Sequence, residues 1–362
     1  MRSALCRLIV LIILLVPSVA YADTEMFGTD LTIGGEQVYN DTLTSSMSGR
    51  MSLSPASILN TISDGLLGEI RECAGDITIL IIIAAISGVL AAFSHSLGNG
   101  GASEASFFAC FTLMSIAALR CFASALSYGT QVTGAMTDFI TKLSPVLMLT
   151  LAASGQAVSA AAFQPVLSGA VYVASLVTEN CLIPLAGMSA VLAVAGNISG
   201  DLQLTHFCSL VKSIAKWIMA AVITVFTSVT AVYGFSSPAF DAVGGKAAKF
   251  AVGSLVPVVG SFLSDTLETV VSGTRLMKNS VGTAGRVALL VICFIPVLKI
   301  GVISLMMKFT SAVSEPLTDK RISKMMWEVG EAVTTVFAVV VMTAVLFIIN
   351  ISIMIAATNT GV

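Results

Sequence analysis

From Ile77 onward, apolar segments of bilayer-crossing length alternate with short breaks rich in glycine, proline and charge. A helical span needs ~20 mainly apolar residues to cross ~30 Å of hydrocarbon. Segments 77–96, 105–126, 161–178, 181–198, 213–235, 286–308 and 333–357 approach or exceed that length. Segments 138–156 and 247–263 are shorter or are broken by Pro145 and Pro257, the form of partial crossings or re-entrant pieces. The pattern predicts an all-α polytopic membrane protein with about six to eight transmembrane helices.

One stretch departs from the uniform apolar pattern. After Pro257, helical spacing places Asp265, Glu268, Ser272, Arg275 and Asn279 on one side, and Leu267, Val270, Thr274, Met277 and Val281 opposite. Such an amphipathic helix cannot face lipid all round, so its polar side meets water, headgroups or protein. Two readings stand: a polar lining within an assembly, or a surface helix with its apolar face in the lipid.

The N-terminus reads as a cleavable signal. Arg2 and Arg7 precede a short apolar core, Leu8 to Val16, which Pro17 ends, and Ala20-Tyr21-Ala22 forms a small-x-small site. The alternative is an uncleaved first helix. Residues 23–76 then carry nine of the chain's 20 acidic residues and only two basic ones, Arg50 and Arg71. The Ser/Thr-rich run from Thr42 to Ser54 suits a solvated linker, and Pro55 to Asp76 suits an amphipathic helix. Twelve Lys/Arg fall between Lys212 and Lys324, an asymmetry that puts the acidic segment outside the cell membrane. The organisation is therefore 1–22 signal, 23–76 acidic extracytoplasmic segment and 77–362 multi-pass membrane domain.

Composition agrees: 56% of residues are hydrophobic, 10% are charged, and mean hydropathy is +0.97, which rules out an ordinary soluble domain. No basic domain exists for nucleic acid, and neither a His-Glu-x-x-His helix nor a Gly-rich phosphate loop occurs. Gly187-Met188-Ser189 with His206 only caricatures a serine protease dyad, because nothing in the spacing brings them together. His95 and His206 lack ligand-spaced partners, and the cysteines form no C-x-x-C pair. No catalytic residue, metal site or cofactor is expected.

Individual polar residues carry more. Lys299 follows Pro296 inside an apolar run, where burial is costly without a partner, so its expected place is the protein interior. Arg120 is expected to snorkel to headgroups, and Glu179-Asn180 to mark a turn. In segment 309–332, Lys324 and Glu328 lie one helical turn apart. That segment reads as a solvated cytoplasmic loop, or as a docking helix with Trp327 as its anchor. Gly196-x-x-x-Gly200 allows close helix approach but is weak in a glycine-rich chain. Phe139 to Val146 and Phe250 to Val258 echo each other around Pro145 and Pro257, as in transporter repeats, though the match needs a gap and covers few positions.

Residues 246–285 also carry a resemblance. Lys246-Ala-Ala-Lys249-Phe250, Gly253, Pro257-Val-Val-Gly260, Ser264-Asp265, Lys278-Asn279 and Gly282 resemble the stage III sporulation protein AE family of endospore-forming bacteria. The resemblance extends over nearly the whole chain after the signal. It implies the mother-cell membrane part of a channel-like complex that links mother cell and engulfed forespore and sustains late forespore gene expression. Other stage III sporulation proteins would be its partners, besides the lipid bilayer. It brings no catalytic residues. Two functions follow as expectations: a non-enzymatic assembly core, or a transporter-like subunit that moves small molecules or ions.

The signal generates the first prediction. N-terminal sequencing of the membrane-extracted protein is expected to begin after Ala22, and a mature chain starting at Met1 would remove the cleavage reading.

Overall fold

The computed structural model describes residues 78–79, 81–89, 100–153, 157–198, 205–255, 260–316 and 318–356. Within these, the side chains of 233–255, 260–280 and a few further positions, including 282 and 295 inside the helix that carries them, are outside the description. The signal, residues 23–76, His95, Gly200 and Pro257 all lie outside the described residues.

Among the described residues all regular structure is helical. After a helical stretch at 81–89 come α1 (Gly100–Ala153), α2 (Ala157–Val177), a π-helical turn (Thr178–Leu182), α3 (Ile183–Ile198), α4 (Thr205–Leu255), α5 (Gly260–Ser314) and α6 (Lys320–Ala356). Among the described residues five stretches are long and apolar enough to cross a membrane: Glu104–Ala152, Ala160–Ile198, His206–Val232, Thr283–Ser314 and Lys320–Met354. The chain is a multi-pass, all-α membrane protein.

Several boundaries differ from the sequence reading, each for a local reason. Segments 161–178 and 181–198 are one continuous helical run, and Glu179 and Asn180 sit in its π-helical turn rather than in a loop. There the Ile183 N–H reaches back to the Thr178 carbonyl. Pro184 follows at once; it has no N–H for the Asn180 carbonyl, and its ring would crowd that carbonyl in a regular α-helix. Widening by one residue accommodates the ring without ending the helix.

Pro145 likewise does not end its helix. It lies inside α1, which continues to Ala153, so 138–156 contributes the end of a long helix rather than a separate partial crossing. A single missing bond bends a helix more readily than it stops one when tertiary packing holds both sides, and Leu143, Leu147 and Leu151 are buried on either side of it. The amphipathic stretch and the span 286–308 are one helix, α5. Finally, 309–332 is neither a free loop nor a separate surface helix: α5 runs to Ser314, and α6 opens at Lys320.

That reversal is tightly bonded. Thr318 N–H donates to the Ser314 carbonyl at 2.9 Å, and Asp319 caps α6, its Oδ1 accepting from the Arg321 N–H at 2.9 Å. Arg321 in turn lies 3.7 Å from the centre of the Phe107 ring, which ties the turn to α1.

Contacts along the bundle fix its directions. The Gly129 face of α1 meets Val336 and Val340 of α6 and Ile300 of α5. Leu143 meets Gly285, Gly301 meets Phe337, and Ser304 Oγ lies 2.7 Å from Thr334 Oγ1. Hence α6 runs parallel to α1 and antiparallel to α5. It also packs against α3 and α4, so it is enclosed by four helices. Val329, Ala332, Val333, Val336, Val340 and Phe347 are accordingly buried.

These contacts predict glycine effects of opposite sign. A Cβ at Gly129 would fall 2.6 Å from Val336 Cγ1, whereas one at Gly134 meets nothing within 4 Å. Gly134→Ala is expected to stabilise by about 0.5–1 kcal/mol through helix propensity. Gly129→Val should destabilise by roughly 1–3 kcal/mol through overpacking, with recovery on adding Val336→Ala. Thermal unfolding in detergent checks the order; equal effects at the two glycines would refute the close approach.

Candidate functional site

The charges stand at the ends of long uncharged runs. On α1, residues 121–137 hold no Asp, Glu, Lys or Arg, with Arg120 and Asp138 at either end. At ~1.5 Å per residue this run rises roughly 26 Å, close to the ~30 Å of the hydrocarbon core. On α6 no charge follows Glu331, and on α4 none falls between Lys216 and Asp241. On α5 only Lys299 interrupts the run between Arg286 and Lys308.

Lys308 and Glu331 face each other at that edge. Lys308 Nζ donates to Glu331 Oε1 at 2.7 Å, and its ammonium lies 5.4 Å from the centre of the Trp327 ring. From α4, Lys212 and Lys216 also lie within electrostatic reach of Glu331. One turn earlier on α6, Glu328 lies 3.9 Å from Lys324 and accepts a 2.8 Å hydrogen bond from Asn197 Nδ2 of α3. The same amide group donates to the Ala193 carbonyl at 2.7 Å. This rim therefore joins α3, α4, α5 and α6 through charged and amide groups. Below Lys308 and above it, Ser304–Thr334 and Ser311–Ser323 hydroxyl pairs hold α5 against α6.

The residues singled out from sequence fall in several places. Trp327 is 48% exposed on α6, beside the rim. Lys324 and Glu328 form the expected one-turn pair. Lys299 is half-buried on α5, its Nζ 4.5 Å from the centre of the Tyr128 ring on α1. Next to Tyr128 on the helix, Gln131 donates to Ser127 Oγ at 3.1 Å while its buried Oε1 has no partner among the described residues. Pro145 is exposed on α1. Asp265, Glu268, Ser272, Arg275 and Asn279 are on the first half of α5, and their side chains lie outside the described residues. The structure therefore brings Trp327 to the rim and sets Lys299 apart from it.

Ser189 and His206 make no catalytic pair. Ser189 Oγ is buried and donates to the Ala186 carbonyl at 2.8 Å, and His206 is exposed at the start of α4. Cys208 rests against the Ser189 carbonyl at 3.7 Å. Among the described residues no three His, Cys, Asp or Glu side chains could hold a metal ion. An apolar groove of about 400 Å³ runs between α2 and α4, lined by Val166, Gly169, Val173, Ala221, Val225 and Val229 among others. It converges no polar group and offers no chemistry.

Sequence reasoning missed Lys308–Glu331 and Asn197–Glu328. Lys308 and Glu331 were legible as the last and first charges beside two spans, but their facing one another needs the 315–319 reversal. Nothing in the sequence pairs Asn197 with a residue on α6.

Comparison with known proteins gives these positions a family. The family model described as Stage III sporulation protein AE matches residues 39–358. The chain belongs to the stage III sporulation protein AE family. It is 28% identical over 313 residues to Stage III sporulation protein AE of Bacillus subtilis (strain 168), covering 86% of this chain and 78% of that protein. No solved structure matches. All six described helices fall inside the family match, so the rim belongs to the family domain rather than to an appended segment.

Asp319, outside the spans, generates a pH prediction. Burial raises its pKa, but the side-chain and backbone hydrogen bonds from Arg321, with the guanidinium charge, outweigh that and hold the carboxyl below its ordinary 3.8. A depressed folded value means stability that is present above the unfolded pKa and lost as pH falls through the folded one. Asp319→Asn keeps the cap but not the charge, so its deficit should begin to shrink as pH drops below 3.8 and vanish once pH falls below the lower folded value. Asp319→Ala loses the cap, about 1 kcal/mol, at every pH. Thermal unfolding across pH distinguishes them; a deficit in Asp319→Asn that persists at low pH would count against the ion pair.

Proposed function

We propose that the chain is a non-enzymatic membrane core of a channel-like complex linking mother cell and forespore, needed for late forespore gene expression. Family membership over residues 39–358 is the observation that carries this reading. The bundle supports the assembly role: polar contacts at the rim join helices to one another. The protein resides in the mother-cell membrane facing the forespore. There it offers docking surfaces to other stage III sporulation proteins. Among the described residues the rim carries Lys212, Lys216, Lys308, Lys320, Arg321 and Lys324 against Glu315, Asp319, Glu328 and Glu331, an excess of cations that suits the cytoplasmic side.

The first half of α5 is the surface through which partners dock. α5 has 55 residues and rises roughly 80 Å, far beyond the ~30 Å hydrocarbon core. Its charged face carries Asp265, Glu268 and Arg275, each of which would cost at least ~2.5 kcal/mol at the membrane centre. Against protein or water the same groups are satisfied.

Asp265→Cys, Glu268→Cys and Ser272→Cys, made singly in sporulating cells, test the reading. Cross-links to other sporulation proteins, and labelling by a water-soluble maleimide that increases when partners are deleted, are expected. Equal labelling with and without partners would leave a helix lying on the membrane surface and remove the docking role.

A further inference from the structure

We infer that the rim between α4 and the α5–α6 hairpin binds the phosphate of an anionic phospholipid. The charge arrangement comes first. Glu331 is a single carboxylate bonded to Lys308 at 2.7 Å, yet it also feels Lys212 and Lys216 from α4. The neighbouring carboxylate, Glu328, is engaged by Lys324 and Asn197. Lys308 bonds this carboxylate directly and Lys212 and Lys216 act on it through space, so among the described residues positive charge is in excess there. At the edge of a low-dielectric region such an excess is poorly screened and calls for an anion.

Depth identifies the source of that anion. Lys216 precedes the uncharged run of α4, Glu331 precedes that of α6, and Lys308 closes the apolar run of α5. All three lie where hydrocarbon gives way to headgroups, the level of phospholipid phosphates. The chain has two tryptophans, and both are here. Trp217 follows Lys216 and is 76% exposed; Trp327 lies under Lys308 and is 48% exposed. Exposed tryptophan at the end of a span is the signature of a ring seated among headgroups. Leu305 and Phe309, 66% and 57% exposed, flank Lys308 on α5 and offer apolar surface for the acyl chains. A soluble phosphate would use the lysines but leave the exposed aromatic and apolar surface unexplained. Basic pockets between membrane helices are a known form of lipid headgroup site.

The test uses the full chain reconstituted in nanodiscs of phosphatidylcholine, with or without phosphatidylglycerol. Phosphatidylglycerol should raise the thermal transition of the wild type and be retained through purification, as read by mass spectrometry. Near an anionic surface each lysine is worth roughly a fivefold change in affinity. Lys212→Gln with Lys216→Gln should therefore weaken retention about 25-fold. Lys142→Gln, exposed toward the opposite end of α1, should change it little. Lys216→Gln alone, at an exposed position, replaces the double variant if that variant loses the wild-type transition in phosphatidylcholine. In Trp327→Phe, brominated phosphatidylglycerol should quench Trp217 more than brominated phosphatidylcholine does.

Three outcomes would overturn the proposal. Equal stabilisation by both lipids would show no anion site. Equal protection by inorganic phosphate in phosphatidylcholine nanodiscs would assign the lysines to a soluble anion. Shielding of Trp217 only when the native complex is isolated, and not in phosphatidylglycerol, would assign them to an acidic protein segment.

Discussion

The close approach of α1 and α5 to α6 is the constraint on which the rest of the bundle depends. Inside a bilayer, apolar side chains gain nothing by leaving lipid for one another, so helices are held by van der Waals fit and by hydrogen bonds. At Gly129 the backbone of α1 comes so near Val336 that no Cβ fits without displacement, and Gly285 stands in the same relation to Leu143. Gly301 and Gly330 do this more loosely against Phe337 and Lys308. Such contacts recover between helices the dispersion energy that lipid chains would otherwise supply. The enclosure of α6 by α1, α3, α4 and α5 follows, since a helix approached closely from one side leaves its other faces to be covered.

That enclosure also dictates where charge can sit. The buried stretch of α6 beyond Glu331 is uncharged, and the groups preceding it find partners on neighbouring helices: Glu331 with Lys308, Glu328 with Asn197 and Lys324. Exposure at Lys308 and Glu331 is 25% and 35%, so this pair is neither freely solvated nor sealed. Its contribution to stability is modest, because desolvation offsets part of the attraction. Its geometric effect is larger, because it fixes the register of α5 against α6.

How far the sequence showed this depends on the range of the interaction. Membrane class and helical character were legible from the long apolar runs, because in lipid every backbone group must be bonded within its own helix. The Lys324–Glu328 pair was legible too, being a contact along one helix. Breaks were harder. Pro145 and the Glu179-Asn180 pair both suggested interruptions, yet α1 passes through the first and a π-helical turn absorbs the second. A proline removes one hydrogen bond wherever it stands; packing on both sides of it, invisible in one dimension, decides whether the helix stops. The meeting of Asn197 with Glu328 spans 131 positions, and no periodicity encodes it.

Lys299 shows the same principle under greater strain. It lies well inside the apolar run of α5, where an ammonium cannot reach either charged edge without a long detour. The structure gives it the face of Tyr128 at 4.5 Å, and a cation over an aromatic ring gains more when poorly hydrated than in water. Pro296, less than one turn earlier, removes the N–H that would have bonded the Ile292 carbonyl and so weakens the backbone of α5 at the turn that carries the charge. One turn beyond Lys299, Ser304 secures the helix again through Thr334. A charge, a missing backbone bond and a Gln131 acceptor with no partner among the described residues therefore gather near Tyr128, between two firmly held segments. The rim can be understood as the anchor of the bundle, and the turn around Lys299 as the part of it that packing alone does not explain.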